Sequence, residues 1–78
     1  MTPEETHVLN AIAVFGRSLA TIRELESNLK MDRVEVRRWV HRLVGAGYVQ
    51  AHRVGTIGVI CYSITTDGRA ELMRGVIV

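Results

Sequence analysis

Three times in its first thirty-five residues the chain writes the same helix-start signal, an oxygen-bearing side chain followed three places later by glutamate: Thr2 with Glu5, Thr21 with Glu24, Asp32 with Glu35. In such a box the first side chain accepts a hydrogen bond from the backbone N–H of the third helical residue. The glutamate reaches back to the N–H of the cap, so two otherwise orphaned donors are satisfied together. Each cap stabilises its helix by about 1 kcal/mol. Helix starts this closely spaced leave room only for short helices, and they limit the chain to a few ways of packing.

The apolar periodicity agrees with the caps. Behind Thr2, with Pro3 suited to the first helical position, Val8, Leu9, Ile12 and Phe15 recur at helical spacing, and Gly16 is a stop signal. Arg17 to Ala20 is a short link able to pair as a strand. After Thr21, Ile22, Leu25 and Leu29 form one stripe over barely two turns, ended at Lys30-Met31. After Asp32, a longer helix turns Val36, Trp39, Val40 and Leu43 inward, and Gly47 supplies the left-handed residue that closes it.

From Tyr48 the pattern changes to strand. Tyr48 to Val54 and Val59 to Thr65 are rich in β-branched and aromatic residues and flank the loop Gly55-Thr56-Ile57-Gly58, which predicts a hairpin with Ile60, Tyr62 and Ile64 sharing its inward face. Thr65 or Thr66 can cap a last short helix containing Ala70 and Leu72. None of these elements buries an apolar face alone; packed on the first helix they share one core. The predicted fold is α+β, mostly α: a winged helix-turn-helix with a three-helix core, a two-stranded β wing and a short C-terminal helix, filling residues 1–78 as one domain.

Composition narrows the function. The chain has 78 residues, 47% of them apolar and 5% aromatic, so its core rests on Val, Ile and Leu and is small for a domain that stands alone. The lone Cys61 excludes an internal disulfide and fits a small apolar packing role in its strand; no Cys/His spacing suggests zinc. No segment reads as a membrane span or a leader, and the expected compartment is the reducing cytoplasm. The net charge is only +2, but residues 31–55 carry five arginines against Asp32 and Glu35, whereas residues 1–30 are slightly acidic.

The run from Leu25 to Val36, continuing to Leu43 and Gly47-Tyr48-Val49, resembles the bacterial winged helix-turn-helix regulators. Ile64-Thr65-Thr66-Asp67-Gly68 is similar to the turn after the wing in the MarR-type regulators, and the likeness covers roughly residues 5 to 72. Two positions depart from it. Glu26 stands where the family usually has a small residue, and must reach solvent or a partner. Lys30 stands where glycine is frequent, and must take the turn without glycine's freedom.

The resemblance implies that the third helix enters the major groove of double-stranded DNA with its N-terminal half nearest the bases. The face opposite the core presents Arg33, Val34, Arg37, Arg38, His41 and part of Arg42. Arginine can pair bidentately with guanine, and Val34 can meet a thymine methyl group. His41, Arg42 and the start of the second helix at Thr21 are expected near phosphates, and the resemblance implies that the wing, with Arg53 and Thr56, reaches phosphates or the minor groove. No catalytic, cofactor or metal site is expected: His7, His41 and His52 fall on separate elements, and no phosphate loop or paired carboxylates appear. The expected function is a sequence-specific DNA-binding regulator, dimeric through its apolar end, Met73 with Val76-Ile77-Val78, unless that end folds back on the first helix of its own chain. The alternative is a protein-interaction module on the same scaffold, which Glu24, Asp32 and Glu35 on the presumed binding side would suit.

Overall fold

A computed structural model describes residues 2–15, 20–55 and 58–76. Gly16 as helix stop, Arg17 to Leu19 of the link, Thr56 and Ile57 of the wing loop, and Ile77 and Val78 of the apolar end lie outside the described residues. The elements run α1 (Pro3–Phe15), β1 (Ala20–Thr21), α2 (Ile22–Leu29), α3 (Arg33–Gly45), β2 (Val49–Val54), β3 (Val59–Ile64) and α4 (Thr66–Val76).

Two of the three predicted boxes form. The Glu5 N–H donates to Thr2 Oγ1 at 3.2 Å while Glu5 Oε1 accepts from the Thr2 N–H at 3.4 Å. Thr21 and Glu24 repeat the exchange at 3.2 Å in both directions. The third does not form. Asp32 occupies the N-cap position of α3, but its side chain makes no cap hydrogen bond. The two boxes that form each carry a hydroxyl donor bond to their glutamate, Thr2 Oγ1 to Glu5 at 3.0 Å and Thr21 Oγ1 to Glu24 at 3.1 Å, and the Asp32 carboxylate, an acceptor only, cannot make that bond to Glu35. The helix starts instead on the backbone bond from the Val36 N–H to the Asp32 carbonyl, 2.9 Å.

Between α2 and α3 the chain reverses at Lys30, whose φ of 54° and ψ of 38° place it in the left-handed region. It is the one non-glycine residue there among those described, so the turn forms without glycine and carries the steric cost. At the other end of α3 the stop is conventional. Gly47, at φ 84°, lets its own N–H reach the Val44 carbonyl at 3.1 Å and the Tyr48 N–H reach Leu43 at 3.0 Å, the paired bonds of a Schellman motif.

α1 is the hub, packing on α2, α3, α4 and β3. Val8, Leu9, Ile12, Leu25, Val36, Val40 and Leu43 are fully buried, and each such side chain is worth about 1.5–3 kcal/mol of burial. Phe15, Ile22, Trp39, Tyr48, Ile64 and Leu72 pack around them half-buried. Trp39 is therefore a flank of the core and not its centre.

The sheet is antiparallel with order β1-β3-β2, so the short link contributes a third strand: Ala20 pairs with Tyr62 and Thr21 with Cys61. In the hairpin Val49 lies opposite Ile64 and Val54 opposite Val59. Tyr62 is buried and Ile64 half-buried as expected, but Ile60 is 44% exposed. Strand alternation does put Ile60 on their face. The hairpin has by then run past the helices, leaving little among the described residues to cover it. Cys61 is buried with a free thiol.

The base of the hairpin is laced to α4. Thr65 caps that helix, its Oγ1 accepting the Gly68 N–H at 3.0 Å and donating to the Gly47 carbonyl at 2.7 Å. Gly68 is buried so tightly that an added Cβ would strike the Tyr48 carbonyl and lie 2.7 Å from Ile64 Cγ1. Backbone meets backbone there, which only glycine permits.

Candidate nucleic-acid interface

α3 is anchored on one side and free on the other. With about 100° of rotation per residue, Val36, Val40 and Leu43 set the inward direction, and Val34, Arg38 and His41 fall opposite them. Arg37 and Arg33 lie on one flank of that outward strip, Arg42 and Glu35 on the other. All seven of these residues are exposed, and Val34 is 64% so. The helix thus brings together six of the sequence-predicted site residues, Arg33, Val34, Arg37, Arg38, His41 and Arg42, on a surface the core does not use.

Its four arginines are not equivalent. Arg33 donates from Nε to Glu26 Oε2 of α2 at 3.4 Å, across the turn. The Arg42 guanidinium lies over the Trp39 ring, 5.4 Å from its centroid, within cation–π range. Arg37 and Arg38 make no ion pair among the described residues. The two end arginines are tethered and the two central ones are free. The Trp39 indole N–H is buried with no hydrogen-bond partner among the described residues.

The other predicted positions lie elsewhere. Thr21 is half-buried, and its hydroxyl exchanges bonds with Glu24, accepting the N–H at 3.2 Å and donating to Oε1 at 3.1 Å. Its first duty is to cap α2. Arg53 is exposed on β2, opposite Ile60, and its Cδ lies 3.8 Å from where a Cβ on Gly58 would stand, so its stem follows the wing turn. His52 points to the opposite face of the hairpin and shares a 2.8 Å hydrogen bond with Ser63 Oγ. Around Arg53 the wing is apolar, with Val54, Val59 and Ile60 each close to half exposed. Among the described residues no three metal-ligating side chains come together, and no helix is long and apolar enough to cross a membrane.

Sequence reasoning missed both tethers. Arg33 and Glu26 are seven residues apart but on different helices, so helical periodicity does not place them together. Trp39 and Arg42, at i and i+3 on one helix, carried a readable signal, because residues so spaced are surface neighbours.

No family model and no curated protein matches the sequence. Solved structures do match. MarR from E. coli, a cysteine-to-serine mutant complexed with operator DNA, superposes with a TM-score of 0.84 at 25% identity, covering 95% of this chain and 52% of that one. The S. aureus MepR–DNA complex gives 0.84 at 15% identity over 95% of this chain and 53% of that one. MepR described as a transcription regulator of the Staphylococcus aureus multidrug efflux pump MepA gives 0.85 at 16%, over 95% and 54%. The chain spans about half the length of the chains it matches.

Proposed function

We propose that this chain, which folds as a MarR-type winged helix, is a non-enzymatic, sequence-specific double-stranded DNA-binding regulator of transcription, its 78 residues serving as one domain. The observation that carries the reading is the free side of α3, where Arg38 stands on the outward strip and Arg33, Arg37 and Arg42 on its flanks, all exposed, while Val36, Val40 and Leu43 are fully buried. A rigidly seated helix with unpaired donors on its free face is what major-groove readout requires. Arg33, Val34, Arg37 and Arg38 are assigned to base edges. His41, Arg42, the first turn of α2 at Thr21, and Arg53 and Thr56 of the wing are assigned to phosphates. Two of the matched structures, of MarR with operator DNA and of MepR with DNA, and the description of MepR as a transcription regulator support the same partner and role here.

We further propose a homodimer. Val14 on α1 and Met73 on α4 are 74% and 61% exposed; the two helices pack together, and α4 leads to the apolar end. Deleting Val76-Ile77-Val78 should move the protein toward monomer in sedimentation; a wild type already monomeric at micromolar concentration removes the idea.

The DNA reading is tested by titrating fragments from around the protein's own gene at two salt concentrations. Phosphate contacts predict binding that weakens steeply with salt, together with one fragment preferred over the rest. Absence of binding at low salt would leave the protein-interaction reading, which the apolar wing surface of Val54, Val59 and Ile60 favours.

A further inference from the structure

We propose that Glu26 is a positioning residue for sequence readout: it holds Arg33 by Nε so that the terminal nitrogens of the guanidinium meet a base edge instead of a phosphate. This rests on the DNA-binding reading above. Arg33 is the first residue of α3, and helical side chains lean toward the N-terminus of their helix, which carries this one back toward α2 and not along α3. There Glu26 Oε2 takes the Nε proton at 3.4 Å. The Glu26 side chain is 28% exposed and that of Arg33 is 64% exposed, so the carboxylate sits low between the helices and the guanidinium faces outward.

Two consequences follow from the chemistry of the pair. A guanidinium is planar, so fixing Nε restricts the plane and leaves the edge formed by its two terminal nitrogens, which make no hydrogen bond to any described residue. That edge matches the O6 and N7 acceptors of guanine. The carboxylate also cancels most of the charge of Arg33 as seen from a distance. A neutralised arginine gains little from displacing counterions along the phosphates, yet keeps its directed donors. Arg42 is the contrast: held over an uncharged ring, it keeps its full charge. An exposed ion pair such as Glu26–Arg33 adds little to folding stability, so its effect on readout can be separated from a role in holding the turn.

The experiment selects a preferred duplex from a randomised library with the wild type. It then titrates that duplex, its single-base-pair variants and a random-sequence duplex with E26A, E26Q, R33A, R33K and the E26A/R33A double variant at two salt concentrations, with thermal unfolding of each. R33A should lose about five-fold or more of the discrimination at one base pair, and E26A should lose it at the same base pair. E26A should bind the random duplex as well as wild type or better, with a salt slope steeper by up to about one unit, because a released arginine can reach a phosphate. The double variant should lose no more than R33A. E26Q keeps an oxygen for Nε and should keep the preference, whereas R33K has no Nε to hold and should behave like R33A. A merely structural Glu26 would lower affinity for every duplex alike and leave the preference in place. That outcome, a loss at a base pair other than the one R33A affects, or equal loss in E26Q, overturns the proposal while DNA binding stands. A wild type that binds no duplex at low salt removes both readings.

Discussion

The two parts of the molecule assigned to DNA, α3 and the wing, are built on opposite terms. α3 buries Val36, Val40 and Leu43 completely and presents arginines on its far side. The hairpin buries Val49, Cys61 and Tyr62 and none of the described residues nearer its loop, and its outer end carries one arginine among the exposed Val54, Val59 and Ile60. A helix seated in a core has its free face dictated by the face it buries, so the direction of each side chain is known to within the rotation of one residue. A hairpin that outruns the core keeps its alternation but loses the burial that gave alternation meaning. Directed readout is thus expected of the helix, and sequence-independent contact of the wing.

The most severe way to break this contrast is through the core. Leu43→Ala should cost about 2–5 kcal/mol, enough to leave so small a domain largely unfolded. Ile60→Ala, at the outer end of the wing, should cost under about 1 kcal/mol, because surface substitutions away from packing features rarely do more. Urea unfolding of both measures the difference. Equal costs would mean that the outer wing is covered in solution, as a dimer or a partner would cover it. Gly68 lies at the joint between the two regions, and Gly68→Ala should cost about 1–3 kcal/mol, since the new methyl group meets backbone that cannot turn away. A variant as stable as wild type would show that α4 can lift off Tyr48.

Next in size come the DNA contacts. Arg37→Ala or Arg38→Ala should cost about 1–3 kcal/mol on the preferred site and relax its sequence preference. Arg53→Ala should weaken every duplex alike and reduce the salt slope by about one unit. Circular dichroism must show the fold intact in each. If a folded Arg37→Ala/Arg38→Ala double variant binds as well as wild type, groove recognition by α3 is wrong.

The same contrast explains how much could be read in advance. Thr2 and Thr21 were legible as caps because a box is local chemistry, complete within four residues. Gly47 was legible because only a left-handed residue closes a helix in this way, and Lys30 because the stripe ending at Leu29 leaves nowhere else to turn. The outward strip of α3 followed from the phase of its buried residues. What failed depended on distance through space. Ile60 was placed on the correct face, yet whether a face is covered depends on how far the helices extend. The Asp32 box is the local exception, because a carboxylate has no hydroxyl to donate to Glu35 as Thr2 and Thr21 donate to their glutamates. The tether of Arg33 requires α2 and α3 to meet at an angle that no run of residues encodes.

The smallest effect concerns Arg42 and Trp39, the tethered arginine nearest the end of α3. Their stacking is worth about 0.5–1 kcal/mol at an exposed site, so Arg42→Ala should lower stability by no more than that. The sharper readout is optical. Trp39 is the only tryptophan of the chain and lies half-buried beneath the guanidinium. If Arg42 moves from the ring to a phosphate when DNA binds, the ring loses its cationic neighbour and its emission should change in intensity or wavelength. The free Arg42→Ala variant should already resemble the bound wild type, and DNA should then change its spectrum little. An equal DNA-induced change in wild type and Arg42→Ala would mean that the stack survives binding. Arg42 would then belong with the structural side of α3, leaving Arg37, Arg38 and the positioned Arg33 to meet the groove.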